Sequence, residues 1–197
     1  MNKNPESTSC ETMLSKKSLG KKLFHSAFHF YAEYASWDLT KEEKRVNLRY
    51  LSIIMRIANA SSLTELEEHR ALHSLHDLKD GVQDATVKRK EIGSKLSSIR
   101  ENLIEKNTRS KIVSHLMELE YSSREYLSTD EESIYLQTAI NEMISHIGTI
   151  PEINAKAISR EVAVLPSKGA SHQQVVEKLE KIKKTWFSRR NSEGEDK

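Results

Sequence analysis

Three times along this chain a leucine precedes a hydroxyl residue, with a glutamate three positions after the hydroxyl: Leu39, Thr40 and Glu43; Leu63, Thr64 and Glu67; Leu127, Ser128 and Glu131. At that spacing the hydroxyl accepts an orphan amide of a new helix while the carboxylate reaches back to the cap residue's own amide. Each signal therefore predicts a helix start. After the third, Leu136, Ala139, Ile140, Met143, Ile144 and Ile147 recur at the three-and-four spacing of one apolar helical face. Gly148 is placed to end that helix in a left-handed turn. Strands and their turns would need far more breakers than the three prolines and six glycines present. The fold class expected is all-α.

In order, residues 1–15 are polar and aperiodic and are expected to be a disordered tail. Lys16, Lys17, Lys21 and Lys22 lead into a helix from Leu19 to Trp37, with Phe24, Ala27, Phe28, Tyr31 and Ala35 on one side. That amphipathic pattern suits either the protein's own core or an anionic membrane surface. The Thr40 helix runs to about Asn59 with Val46, Tyr50, Ile53, Ile54 and Ile57 as its main stripe, and its broad apolar circumference predicts a central place. The Thr64 helix carries Leu72, Leu75 and Leu78 to about Lys79, where Asp80 and Gly81 predict a kink or turn. Ile92, Leu96, Ile99 and Leu103 make a narrow, coiled-coil-like seam. Thr108 is expected to cap the next helix, which leads to a loop at Ser122–Tyr126. Thr149 and Pro151 start a short helix through Ile158, Val162–Pro166 reads as extended, and Ser167–Ala170 reads as a linker. Ser171 then caps a last helix with Val175, Leu179, Ile182 and Trp186 in line.

Two stretches repeat one design. Met55 to Glu67 (MRIANASSLTELE) and Met117 to Glu131 (MELEYSSREYLSTDE) each pass from an apolar helix through a small polar loop to a capped acidic turn, about 64 residues apart. The expected architecture is a helical bundle of two related helix-loop-helix units with flanking N- and C-terminal helices. Its expected organisation is a tail over 1–15, the bundle over 16–160, a linker over 161–171, an amphipathic helix over 172–189 and a tail over 190–197. On Ile57 to Glu67, Leu119 to Glu131 and the closing Ile147–Thr149, residues 40–150 resemble a tellurite-resistance B-like (TerB-like) helical domain of degenerate type. Ser61–Ser62 and Ser122–Ser123 stand where that family carries Asp-Gly. Hard cations need several oxygen ligands, carboxylates among them, and neither loop supplies an acidic cluster. The resemblance then implies a scaffold kept for interaction, in a stress-response or envelope-associated assembly.

The chain shows no phosphate-cradling glycine loop, no nucleophile elbow and no cysteine set as a nucleophile. His69, His73 and His76 share an arc of one helix, and His25 and His29 have the four-residue spacing by which two imidazoles can meet one zinc ion. A histidine-rich metal site and a plain polar boundary both fit that spacing. A net charge of +2 gives no field that implies nucleic acid. One cysteine, Cys10, suits a reducing cytoplasm, and Glu6 and Glu11 interrupt any secretory signal. The function expected is a non-enzymatic interaction module, an adaptor or accessory subunit, cytoplasmic or peripheral at the membrane through its basic helices, with no cofactor and no metal. Its expected protein-contact residues are Leu179, Ile182, Trp186 and Phe187, ringed by Lys178, Lys181, Lys183, Lys184, Arg189 and Arg190. Two other readings stay open: an elongated coiled-coil subunit built on the Ile92–Leu103 and Val175–Trp186 seams, and a histidine-rich metal-binding protein.

Overall fold

A computed structural model describes residues 20–124, 130–165 and 172–187. Those residues form an all-α fold of eight helices with no strand among them, as expected. The helices are α1 (Lys21–Ser36), α2 (Lys41–Ala60), α3 (Glu65–Gln83), α4 (Ile92–Lys106, after a 3-10 turn at Arg89–Glu91), α5 (Thr108–Arg124), α6 (Asp130–Ile147), α7 (Glu152–Ala163) and α8 (His172–Trp186). The chain divides into two compact units, Met1–Leu103 and Ile104–Lys197. The α2–α3 pair lies in the first and the α5–α6 pair in the second. The expected tails over 1–15 and 190–197, the Ser128 and Ser171 caps and the Ser167–Ala170 linker lie outside the described residues.

In the first unit α1 packs along both α2 and α3. Two of the predicted capping boxes open its neighbours. The Thr40 amide donates to Glu43 at 3.2 Å while the Glu43 amide donates to the Thr40 hydroxyl oxygen at 3.3 Å. The Thr40 hydroxyl also donates to the Glu43 carboxylate and, chiefly through that bond, holds the Glu43 pKa below its ordinary value. Thr64 and Glu67 repeat the reciprocal bonds at 2.8 and 3.3 Å. The start of α1 is made differently. Gly20, at its head, has a φ of 86° and no capping side chain of its own. The carboxylate of Glu68 on α3 accepts instead from the amides of Lys22 and Leu23, at 3.2 and 3.4 Å. Glu68 is buried, so one helix's first turn closes the exposed donors of another.

Gly20 is required for more than its backbone angle. An added Cβ would stand 1.9 Å from the Ala58 carbonyl oxygen, so α1 enters directly against the last turn of α2. Beyond that entry Leu23, Ala27, Phe30 and Tyr34 are buried, and the Tyr34 hydroxyl accepts a bond from Asn47 on α2. Burial pushes the Tyr34 pKa above its ordinary value, with the Asn47 bond opposing. Asn47 takes the inward place expected of Val46, which is 37% exposed.

Several predicted breaks fall elsewhere. Helix α3 runs through Asp80 and Gly81 to Gln83, because Gly81 leaves room for Val87, whose Cγ2 lies 2.6 Å from the position of an added Cβ. The chain turns instead at Ala85, φ 57°. Asn107, one residue before Thr108, caps α5 by accepting from the Ser110 amide at 3.0 Å. Ser122 is helical rather than in a loop, its hydroxyl bonded to the Glu118 carbonyl at 2.8 Å. Gly148 is not left-handed: positive φ occurs, among the described residues, at Gly20, Ser62 and Ala85. Helix α7 extends past Ile158 to Ala163, because Val162, expected in an extended segment, is buried and continues its apolar face. Leu165 closes the end by donating its amide to the Val162 carbonyl.

In the second unit α5 packs on α6 and α7, and α8 lies on α6 and α7. Arg109 ties the α6–α7 connection to α5, bonding the Ile150 carbonyl and the Glu152 carboxylate, each at 2.7 Å.

Replacing Glu68 by Ala leaves the α1 amides without their acceptor and is expected to cost about 1–2 kcal/mol, with Glu68→Gln less damaging because a carbonyl acceptor remains. Chemical denaturation of both variants checks the order. Ala85→Gly is expected to act the other way, raising stability by about 0.5–1 kcal/mol by relieving a left-handed alanine. A higher melting temperature is the readout.

Candidate interaction surfaces

The last helix was the sequence's candidate for contact, and its four named residues all face their own unit. Leu179 and Ile182 are 1% and 4% exposed, in line with buried Val175 and Val176. Trp186 is half-buried and donates its indole N–H to the Glu161 carboxylate on α7 at 2.9 Å. Phe187, also half-buried, packs its ring on His146 with centroids 5.4 Å apart. Lys183 bonds Glu142 on α6 and reaches Glu180 at 3.5 Å. The Glu142 bond is the main cause that holds the Lys183 pKa above its ordinary value. A raised lysine stabilises the folded state fully below the unfolded value of about 10.4, and that contribution is lost as pH climbs through the folded value. Apolar stripe and polar clamps together seat α8 against α6 and α7. The Ile92–Leu103 seam is likewise buried within its own helix packing, all four side chains being at most 4% exposed.

What α8 leaves free is its opposite flank. There a groove of about 600 Å³ runs beside α6, with Tyr135 and Val176 toward one end and Glu177, Glu180, Lys181 and Lys184 along it. Tyr135 is 60% exposed and Ile134 beside it 62%. Both lie off the Leu136–Ile147 stripe, and that misfit was the available sequence signal: two large apolar residues out of phase with a helix's buried face. The charges on the strip are incompletely matched. Glu177 accepts from neutral Gln173 at 3.0 Å, and Glu180 shares Lys183 with Glu142. Among the described residues Lys181 and Lys184 form no ion pair.

The histidines occupy the first unit. Packing of α1 on α3 does bring the two histidine-bearing helices side by side. His25, His29, His69, His73 and His76 are all exposed. His76 meets the Ser26 hydroxyl at 3.0 Å and His73 meets Asp77 at 2.7 Å, so the nearest partners are a hydroxyl and a carboxylate rather than other imidazoles. No group of three ligating residues that could hold a metal ion occurs among the described residues. Phe24 and Phe28 stack at 6.4 Å on the outer side of α1, Phe28 being half exposed. No helix among the described residues is long and apolar enough to cross a membrane. Comparison of the chain with protein-family models, with curated proteins and with solved structures gives no match.

The seating of α8 has a direct consequence. Leu179→Ala is expected to destabilise the second unit by about 2–4 kcal/mol, as for a fully buried leucine. Each unit holds one of the two tryptophans, Trp37 and Trp186, so unfolding followed by Trp186 emission in a Trp37→Phe background assigns the loss.

Proposed function

We propose that this protein is a non-enzymatic helical interaction module, an adaptor or accessory subunit of degenerate TerB-like type, whose contact surface is the α6–α8 groove. The observation that carries the reading is Tyr135, a large aromatic residue that stays 60% exposed in the wall of an open, charge-lined groove. Single exposed apolar residues such as Ile153 and Val164 are ordinary on any surface; a large exposed aromatic in the wall of a concave site is the usual mark of recognition. The strip along α8 fits a helix with basic residues opposite Glu177 and Glu180 and acidic residues opposite Lys181 and Lys184. Contact therefore falls on the outer flank of α8, and the inner line of Leu179 and Ile182 serves to hold that flank in place.

The TerB-like part of the proposal draws support from the α2–α3 loop. Ser62 has a φ of 52°, the left-handed geometry that the glycine of an Asp-Gly pair adopts without strain. Ser62 keeps that turn while Ser61, in the place of the aspartate, carries no carboxylate, consistent with a scaffold retained for interaction. On this reading the module works in the cytoplasm, where the lone Cys10 is an ordinary thiol, in a stress-response or envelope-associated assembly.

A photoreactive benzophenone residue at position 173, where exposed Gln173 lines the groove, tests the surface in the full chain within its native cell. The expected result is a covalent protein adduct from position 173 and none from position 66, where the exposed Leu66 lies in the other unit. No adduct from position 173 overturns the reading.

A further inference from the structure

The order of charge along the groove singles out one occupant. The strip on α8 reads Glu177, Glu180, Lys181, Lys184, acid first and base second. Steps of three, one and three keep these residues on one side of a helix, with Glu177 and Lys184 two turns, about 10 Å, apart. Reversing the strip end for end about a point between Glu180 and Lys181 puts lysines where the glutamates stood and glutamates where the lysines stood. A twofold axis performs that operation. We propose that the groove's occupant is a second copy of this chain, with α8 packed antiparallel on α8 of the second copy across an axis between Glu180 and Lys181. The inference rests on the interaction reading above and names its partner.

Other helices fit less well. A uniformly acidic or basic helix meets like charge along half the strip, which is a cost rather than a gain. The second copy satisfies both halves at once, pairing Glu177 with Lys184 and Glu180 with Lys181, twice over. Exposed ion pairs contribute little each, so they set direction and register while apolar burial supplies the attraction. That burial comes chiefly from Tyr135, 60% exposed in the groove wall. Helices α6 and α8 run in the same direction, since Glu142 lies beside Lys183 and His146 beside Phe187 further along both. Tyr135 therefore sits at the acidic end of the strip, and the axis brings Lys184 of the second copy to that end, an ammonium near an aromatic face.

The test uses the full chain in sedimentation velocity over a wide concentration range at low and high salt. A concentration-dependent dimer that weakens with salt is expected. An all-basic strip (Glu177→Lys with Glu180→Lys) and an all-acidic strip (Lys181→Glu with Lys184→Glu) should each weaken self-association at least about tenfold, and an equimolar mixture should recover a heterodimer. A monomer at every concentration, a dimer indifferent to both charge changes, or a mixture that stays monomeric overturns the proposal. If either strip variant loses its helical circular dichroism, Tyr135→Ala in the parent chain replaces it, with a weakened dimer expected and an unchanged one overturning the proposal. A monomeric chain that still gives a foreign-protein adduct from position 173 removes the second copy and keeps the interaction reading. A monomer without an adduct removes both.

Discussion

A buried carboxylate from one helix closes the open end of another, and the first unit is arranged around that bond. Helix α1 begins with a glycine that has no side chain to offer its leading amides, and its backbone approaches Ala58 too closely for any larger residue. Glu68 supplies the acceptor. Desolvating a carboxylate is costly unless donors meet it, and here two amides at the positive end of a helix do so. The bond fixes α1 against α3 while the Gly20 contact fixes it against α2. Phe30, Tyr34 and Asn47 then fill the space between, and the outer aromatic and histidine flank is set by what remains.

The same short segment shows why helix starts were readable and other features were not. In Leu63–Glu68, Glu67 bonds its own helix's cap residue, a partner three positions away, and sequence spacing alone reveals it. Glu68, the next residue, bonds a helix more than forty positions upstream, and no local pattern marks it. Helix ends behaved like Glu68. Gly81 was expected to break α3 because glycine usually does, yet Val87 packs where its side chain would be and the helix continues. Ala85, a residue with no breaker signature, takes the left-handed angle because Val87 and Thr86 fold back to bond the Gly81 carbonyl. A start is decided within one turn of chain; an end depends on what comes back to meet it.

The candidate surface was legible to a similar depth. The line Val175, Leu179, Ile182 and Trp186 announced a face that would be buried, and it is buried, on α6 and α7. A stripe says that a face seeks cover without saying what covers it. The Trp186–Glu161 and Lys183–Glu142 clamps decide the question, and each joins residues at least 25 positions apart. Ile134 and Tyr135 carry no periodic signal, because residues out of phase with a helix's apolar face leave no pattern that says whether a neighbour covers them.

The two faces of α8 are coupled through Val176, which is buried against the unit and also forms the floor of the groove. A helix laid in the groove completes the cover over Val176 and Tyr135, so it strengthens the packing that already holds α8 in place. Loosening the inner stripe has the reverse effect, because the strip keeps its charge order along the helix but loses its position beside Tyr135. Preorganisation of this kind lowers the cost of association, since little remains to be ordered when the partner arrives. On the proposed function the buried line of α8 serves recognition indirectly: it holds four charges in a fixed sequence beside an exposed aromatic ring, and that fixed sequence carries the specificity.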